Sequence, residues 1–395
     1  MKMLRLPRSK VQLGAPLPWN VRDESGRLLL SKGHVVETEG LLTALLERGA
    51  FVDVEEIKAA ASQVVEAPRP GAPREPNLIS LWRHSGDDLK RVLASVRQAD
   101  FGAILDRFVD YLAGLLDQHP DIAIYQCVRQ EHLHLFHYGY NHAVHTAVLC
   151  ELVARHLGWP EARQRSLVKA ALTMNLSIME LQGQMAGQDG PVVERQRIAI
   201  RAHPLQAVDM LQKAGIDDPE WLGAITHHHD RPEDVAGGAH TVSEMAVALR
   251  VVDVFLAKIS PRRVRSPLSP QEAARQLFQE DHGGPLSTAV IKVFGIYPPG
   301  DVVHLASGEW GVVVQRTQNA KTPIVAAITD TSGKPVAHTE RRDSSDPAYA
   351  IVGTARDNHL VAKLPAERLY GYATPPEWLI EQLFRLREVA RDPVI

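Results

Sequence analysis

Between Asp87 and Asp281 the chain repeats one pattern, apolar residues at three- and four-residue steps broken by short polar stretches. Phe101, Ile104, Leu105, Phe108, Leu112 and Leu115 form one such face, within a stretch predicted helical from Asp87 to about Gln118. His142 to Leu157 repeats it and stops at Gly158 and Pro160. Further helices are expected over 161 to 183, 192 to 202, 204 to 214, 219 to 229, 241 to 259 and 270 to 281. Helices with one apolar face must bury it against each other, so the middle of the chain, 78 to 294, is expected to be an all-α bundle.

The flanks differ. Residues 1 to 57 read as a small α+β module. The turn signal Asp23-Glu24-Ser25-Gly26 leads into Leu28-Leu29-Leu30, Lys32-Gly33 makes a second turn, Leu41-Leu42 and Leu45-Leu46 recur at helical spacing, and Phe51 to Val54 reads as a closing strand. Residues 58 to 77 hold Pro68, Pro70, Pro73 and Pro76, a density that favours an extended tether. At Gly295-Ile296-Tyr297-Pro298-Pro299-Gly300 the helical pattern gives way to short β-rich runs. Val302 to Leu305, Gly311 to Val314 and Ile324 to Ile328 are separated by turn residues, and the β-rich module is expected over 295 to 375. A last helix, Pro376 to Arg391, is expected within 376 to 395. The fold class is therefore mainly α, a helical bundle with a small module on each side.

With 23% charged residues and a formal charge of −3, no global field draws the chain to nucleic acid or an anionic surface. No stretch reaches the roughly 18 uninterrupted apolar residues of a membrane helix, and the start lacks a signal-peptide core. Cys127 and Cys150 are too few for a disulfide framework and read as core residues. A cytoplasmic location is expected.

Of 18 histidines, most read as structural or solvated, and His132, His134 and His137 fit no metal spacing. His203 precedes Pro204, which is tolerated at a first helical position, so His203 is expected at a helix start. His227-His228-His229-Asp230 falls at a helix C-terminus, an end that favours positive charge with or without a ligand. Neighbouring helical residues point about 100° apart, so two of the three imidazoles can flank one site. Each feature alone is more often structural than functional.

Their order is more specific. Tyr140-Asn141-His142-Ala143-Val144-His145, Ala170-Ala171-Leu172-Thr173-Met174-Asn175, His203-Pro204, His228-His229-Asp230-Arg231 and Val252-Asp253 follow one another in a sequence that resembles the HD-GYP family. The resemblance covers roughly 120 to 315, and the segment from Leu17 to Asp53 looks like a small module often found ahead of such domains. It implies an all-α domain that binds two or three metal ions and hydrolyses the bacterial messenger cyclic di-GMP. It implies metal ligation by His203, His228 and His229, with His142 and Asp253 as further candidates. Arg231 and Arg262 are candidates for ligand contact.

The departures are chemical. Where the family has His-Asp and a Lys, this chain has Met174-Asn175 and Ile178. The family's Asp bridges metals and offsets the repulsion of two dications, whereas Asn175 is neutral. Met174 offers a soft thioether poorly matched to hard ions, and Ile178 removes a cation that would steady phosphate oxygens. After His228-His229 the family's Glu is Asp230, and Pro232 to Gly238 replaces its Gly-Tyr-Pro loop. A paired-metal mechanism needs both ions, while three imidazoles can hold one ion with a position open to water. The resemblance thus implies a non-hydrolytic signalling module with no catalytic residue and one divalent Fe, Mn or Zn ion or none. Cyclic di-GMP or signalling proteins such as diguanylate cyclases are the expected partners. The alternatives are a phosphodiesterase working through a rearranged single-metal site and a regulatory bundle with no nucleotide or metal role.

Overall fold

The computed structural model describes residues 3–6, 11, 16–36, 39–47, 49–54, 56, 77–130, 132–231, 242–355, 364–371 and 373–390. The expected tether lies almost wholly outside them, as does the segment Pro232 to Gly238. The chain divides into two compact units. One gathers 1–75, 302–317 and 322–373, and the other gathers 76–301, 318–321 and 374–395.

The first unit carries two antiparallel sheets. In the N-terminal sheet, β1 (Met3–Arg5), β2 (Val21–Arg22), β3 (Leu28–Leu30) and β4 (Phe51–Asp53) lie in the order β1-β4-β2-β3. Helix α1 (Glu39–Glu47) contributes Leu42 and Leu45 to a core with Leu17, Val21, Val36 and Val52. Strand β1 is an addition to the expected elements. It is too short to show alternation, and pairing with β4 defines it. The second sheet has the order β8-β7-β6-β5-β9, built from β5 (Val302–Leu305), β6 (Trp310–Gln315), β7 (Ile324–Thr329), β8 (Pro335–Asp343) and β9 (Ile351–Thr354). The three runs read from the sequence are its inner strands. The edge strand β8 is masked in sequence by Glu340-Arg341-Arg342-Asp343, as charged edges commonly are.

The second unit is the bundle. It comprises α2 (Leu78–Ala94), α3 (Phe101–Gln118), α4 (Pro120–Val128), α5 (Tyr138–His156), α6 (Glu161–Thr173), α7 (Met179–Gly187), α8 (Glu194–Lys213), α9 (Pro219–His227), α10 (Glu244–Ile259), α11 (Pro270–Glu280) and α12 (Pro285–Phe294). After α13 (Ala366–Tyr370) of the other unit, α14 (Glu377–Val389) belongs to it again. Helix α5 is central, packed by α2, α4, α6, α7, α10 and α12. Small residues allow this. A Cβ on Gly139 would lie 2.5 Å from the Met179 carbonyl oxygen, and one on Gly183 would lie 2.2 Å from that of Phe136. Both free cysteines are buried in the bundle. Among the described residues, no helix is long and apolar enough to cross a membrane.

The helix boundaries correct the sequence reading in several places, and α4 and α13 are additions to it. The first predicted helix is two, α2 and α3. Asn77 caps α2 in a reciprocal box with Ser80, which starts the helix nine residues before Asp87. The predicted helix over 161 to 183 breaks at Met174-Asn175, and a 3-10 turn, Leu176–Ile178, separates α6 from α7. Helix α12 was not anticipated, although Pro285 opens it and Gly295, at φ 94°, ends it. The expected helix start at His203 is overturned. Helix α8 runs unbroken from Glu194 to Lys213 with Pro204 in its interior, because a proline removes one backbone bond without having to end a helix held by packing.

Candidate metal centre

Two helix segments present the three histidines. His203 lies inside α8, and His228 and His229 follow the last turn of α9. The structure brings them into one cluster in which one ring nitrogen from each lies within 4.8 Å of the others. His203 and His228 are 2% and 1% exposed, and His229 lies open at the mouth. The ring centroids of His228 and His229 are 4.0 Å apart, and that of His203 is 5.1 Å from each. His227 turns away and bonds Asp230 Oδ2 through Nδ1 at 2.7 Å.

The hydrogen bonds fix the chemistry of the two buried rings. His203 Nδ1–H donates to the Ile200 carbonyl at 2.6 Å, and His228 Nδ1–H donates to the Ile225 carbonyl at 2.7 Å. Each neutral ring therefore carries its proton on Nδ1 and a bare lone pair on Nε2. The two Nε2 atoms face each other at 3.2 Å. Two lone pairs so placed repel, and only a shared proton or a cation between them relieves this. Burial works against the proton: it lowers the His203 pKa and pushes that of His228 down to about 4. A metal ion bound by nitrogen at about 2.0–2.1 Å separates adjacent ligands by about 3.0 to 3.4 Å, depending on geometry, which matches this pair. The trio fits one transition-metal ion.

The neighbouring pair is different in kind. His142, buried on α5, donates from Nε2 to Asp253 Oδ1 of α10 at 2.7 Å. Burial alone would raise the Asp253 pKa. The His142 hydrogen bond, then the fields of His142, His228 and His229, overcome it and hold the carboxyl at about 2. Tyr138 stacks on His142 with centroids 5.4 Å apart, and Arg262 lies over Tyr138 while donating to its hydroxyl at 3.1 Å. Arg262 thus reaches the site through Tyr138. Arg231 is exposed after α9.

Met174 and Asn175 are both buried, in the turn between α6 and α7. That turn is anchored on both sides. Trp221 Nε1–H, from the helix that leads to His228, donates to Thr173 Oγ1 at 2.9 Å. Ser177 donates to the His203 carbonyl at 3.3 Å. Ile178 is also buried. These three buried positions carry a thioether, an amide and an alkyl group, none of them charged.

Several contributors escaped the sequence reading. Tyr138, Trp221 and Thr173 carry no spacing signal because they act across helices. His145, one turn after His142, has its pKa pushed down to about 3 by burial and then by His142. Arg250 lies close enough to His229 to oppose its protonation. A cavity of about 620 Å³ elsewhere in the bundle, lined by Asp110, Val148, Glu151, Arg155 and Arg165, includes none of the candidate residues.

No family model matches the chain. A cyclic di-GMP phosphodiesterase of Pseudomonas aeruginosa is 27% identical over 295 residues, covering 70% of each protein. A solved structure, an HDG"Y"P protein from Bdellovibrio bacteriovorus, is similar at a TM-score of 0.44 and 13% identity over 73% of this chain and 98% of that one. Five motifs in one order on a helical bundle, with the Pseudomonas relative matched over most of both chains, agree on a single likeness: the chain is similar to HD-GYP proteins.

Proposed function

We propose that this protein works in cyclic di-GMP-related signalling as a non-hydrolytic binding or interaction module that holds a single divalent metal ion. The family is metal-dependent and of cyclic di-GMP phosphodiesterase type, and the proposal concerns what this member retains. One observation carries it: Met174 and Asn175, which the motif order in the sequence aligns with the family's His-Asp, are both buried and uncharged. Two dications a few ångströms apart repel strongly in a low-dielectric site, and a neutral amide does not supply the bridging negative charge that offsets this. The trio of His203, His228 and His229 is the remaining ligand set, with His142 and Asp253 beside it.

A bound ion would supply Lewis acidity and a more acidic water. The chain's own residues do the rest of what is proposed. His203 and His228 present Nε2 lone pairs, their Nδ1 protons tied to backbone. Asp253 supplies negative charge within reach of all three rings. Arg262 lies over Tyr138, at the edge of the site, and is the candidate for an anionic ligand oxygen; Arg231 is a second, from the exposed side. Iron and zinc suit imidazole donors, whereas manganese prefers oxygen donors.

The test is metal content and turnover on one preparation, purified without added metal. About one metal ion per chain, with cyclic di-GMP bound but not cleaved, is the expected result. Two ions per chain together with hydrolysis would overturn the proposal. A second reading, a phosphodiesterase with a single-metal site, has one observation in its favour: three imidazoles with His229 open at the mouth leave room for a water. Hydrolysis with one ion per chain is its signature.

A further inference from the structure

We infer that Pro204 is a positioning residue for this metal site: by leaving the Ile200 carbonyl without its helical donor, it gives the His203 ring a fixed acceptor, which turns the Nε2 lone pair onto the metal position. The inference rests on the single-metal reading of the trio.

In a regular α-helix the N–H of residue 204 bonds the carbonyl of residue 200. Proline has no N–H, and its ring pushes against the carbonyl four residues back. That carbonyl accepts from His203 Nδ1 at 2.6 Å. Pro204 is buried, lies inside a 20-residue helix and does not end it. Proline is the least favourable residue for such a position, so its presence requires a compensating role, and the hydrogen bond next to it provides one.

His228 supplies an internal comparison. It makes the same bond, Nδ1 to the carbonyl three residues earlier, at 2.7 Å. Ile225 lies in the last turn of α9, where carbonyls lack intrahelical donors in any case. One imidazole uses a carbonyl released by a helix end, and the other needs one released by proline because it lies in mid-helix. With both Nδ1 protons fixed, the two lone pairs converge at 3.2 Å. Without Pro204, a backbone N–H would compete for Ile200, and the His203 ring would be free to carry its proton on Nε2, where it blocks the ion.

The test uses the full chain, ¹⁵N-labelled, with Pro204→Ala and Pro204→Gly. Ring ¹H–¹⁵N correlations on metal-free protein read the tautomers, and zinc titration against a competing chelator reads affinity. In the unsubstituted protein His203 and His228 are both expected as the Nδ1–H form. In both variants His203 should become a mixture while His228 stays unchanged, and the zinc Kd should rise about tenfold or more. Pro204→Ala should also raise the unfolding temperature of the metal-free protein by a few degrees. Affinity and stability then move in opposite directions, as a merely structural role would not allow. Pro204→Gly restores the N–H with a smaller gain in helix stability, which separates the two effects. An unchanged His203 tautomer with unchanged affinity in both variants would overturn the inference. If the unsubstituted protein takes up no zinc, iron or manganese, the metal reading fails, and the tautomer comparison still decides the role of Pro204.

Discussion

The two sides of the candidate site solve the same problem of burial in opposite ways. His203 and His228 present lone pair to lone pair, an arrangement that is electrically incomplete. His142 and Asp253 present donor to acceptor, so the contact between them needs no ion, although His142 Nδ1 is buried without a partner among the described residues. Met174 and Asn175, also buried, add no charge. A buried cluster of ionisable side chains is therefore not evidence for a metal in itself. What distinguishes the halves is where the protons are, and backbone carbonyls decide that for His203 and His228.

The largest expected effect comes from removing one of the incomplete rings. Replacing His228 or His203 with Ala should weaken metal binding on the order of a thousandfold, about 4 kcal/mol, if the binding energy of a structural ion is shared among its ligands. Competition titration measures it, and an affinity within tenfold of the original would place the ion elsewhere. His142→Ala, on the complete side, should change affinity far less. Equal losses at the two positions would erase the comparison.

Next in size is the attempt to make the quiet side incomplete. Met174→His with Asn175→Asp introduces a buried carboxylate and an imidazole. Without metal the double variant should lose about 3 kcal/mol in urea unfolding, as expected of an uncompensated buried charge. Metal should restore stability and raise the stoichiometry from one ion per chain to two. A stoichiometry that stays at one would show that the Asn175 turn is too far from the second position to serve it.

The halves should also separate by pH in the metal-free protein. His228 has a folded pKa of about 4 against an ordinary 6.5, so the unfolded chain takes up its proton first. Stability from this ring is fully present above about 6.5 and is lost as pH falls to about 4, on the order of 3 kcal/mol. Asp253 is held at about 2 against 3.8. Its contribution, about 2 kcal/mol, is present above about 3.8 and is lost as pH falls through 2. Urea unfolding across pH should lose the upper component in His228→Gln and the lower one in Asp253→Asn. The smallest expected effect is Thr173→Val, which leaves the Trp221 indole N–H buried without its acceptor and should cost about 1–2 kcal/mol.

The helical bundle was legible because apolar spacing is a local property, and α3 shows it in six residues. The break at Met174-Asn175 was not, since neither glycine nor proline marks it. Contacts from other helices, Trp221 to Thr173 and Ser177 to His203, shape that turn. Pro204 was visible and misread. A proline before an apolar run signals a helix start by local rules, whereas tertiary packing carries α8 through it. For the site, the order of His142, His203, His228, His229 and Asp253 could be read from the sequence. Which nitrogen of each ring carries the proton could not, because the Ile225 carbonyl leaves no trace in residue type and Pro204, which releases the Ile200 carbonyl, reads locally as a helix start.

Helix α14 has a consequence for how the chain is made. Asp88, 1% exposed in α2, is held by Arg91 of its own helix at 2.7 Å and by Arg387 of α14 at 2.7 and 3.0 Å, a residue 299 positions later. At about 5–20 residues per second, roughly 15 to 60 s of synthesis separate the two. Throughout that interval the carboxylate has half its cationic support, so α2 cannot bury it at full strength while the ribosome is still building the β-rich segment. The bundle is the first large unit to emerge and among the last to close. A nascent chain stalled before α14 should therefore be cut by protease within α2, and one extended past Arg387 should resist.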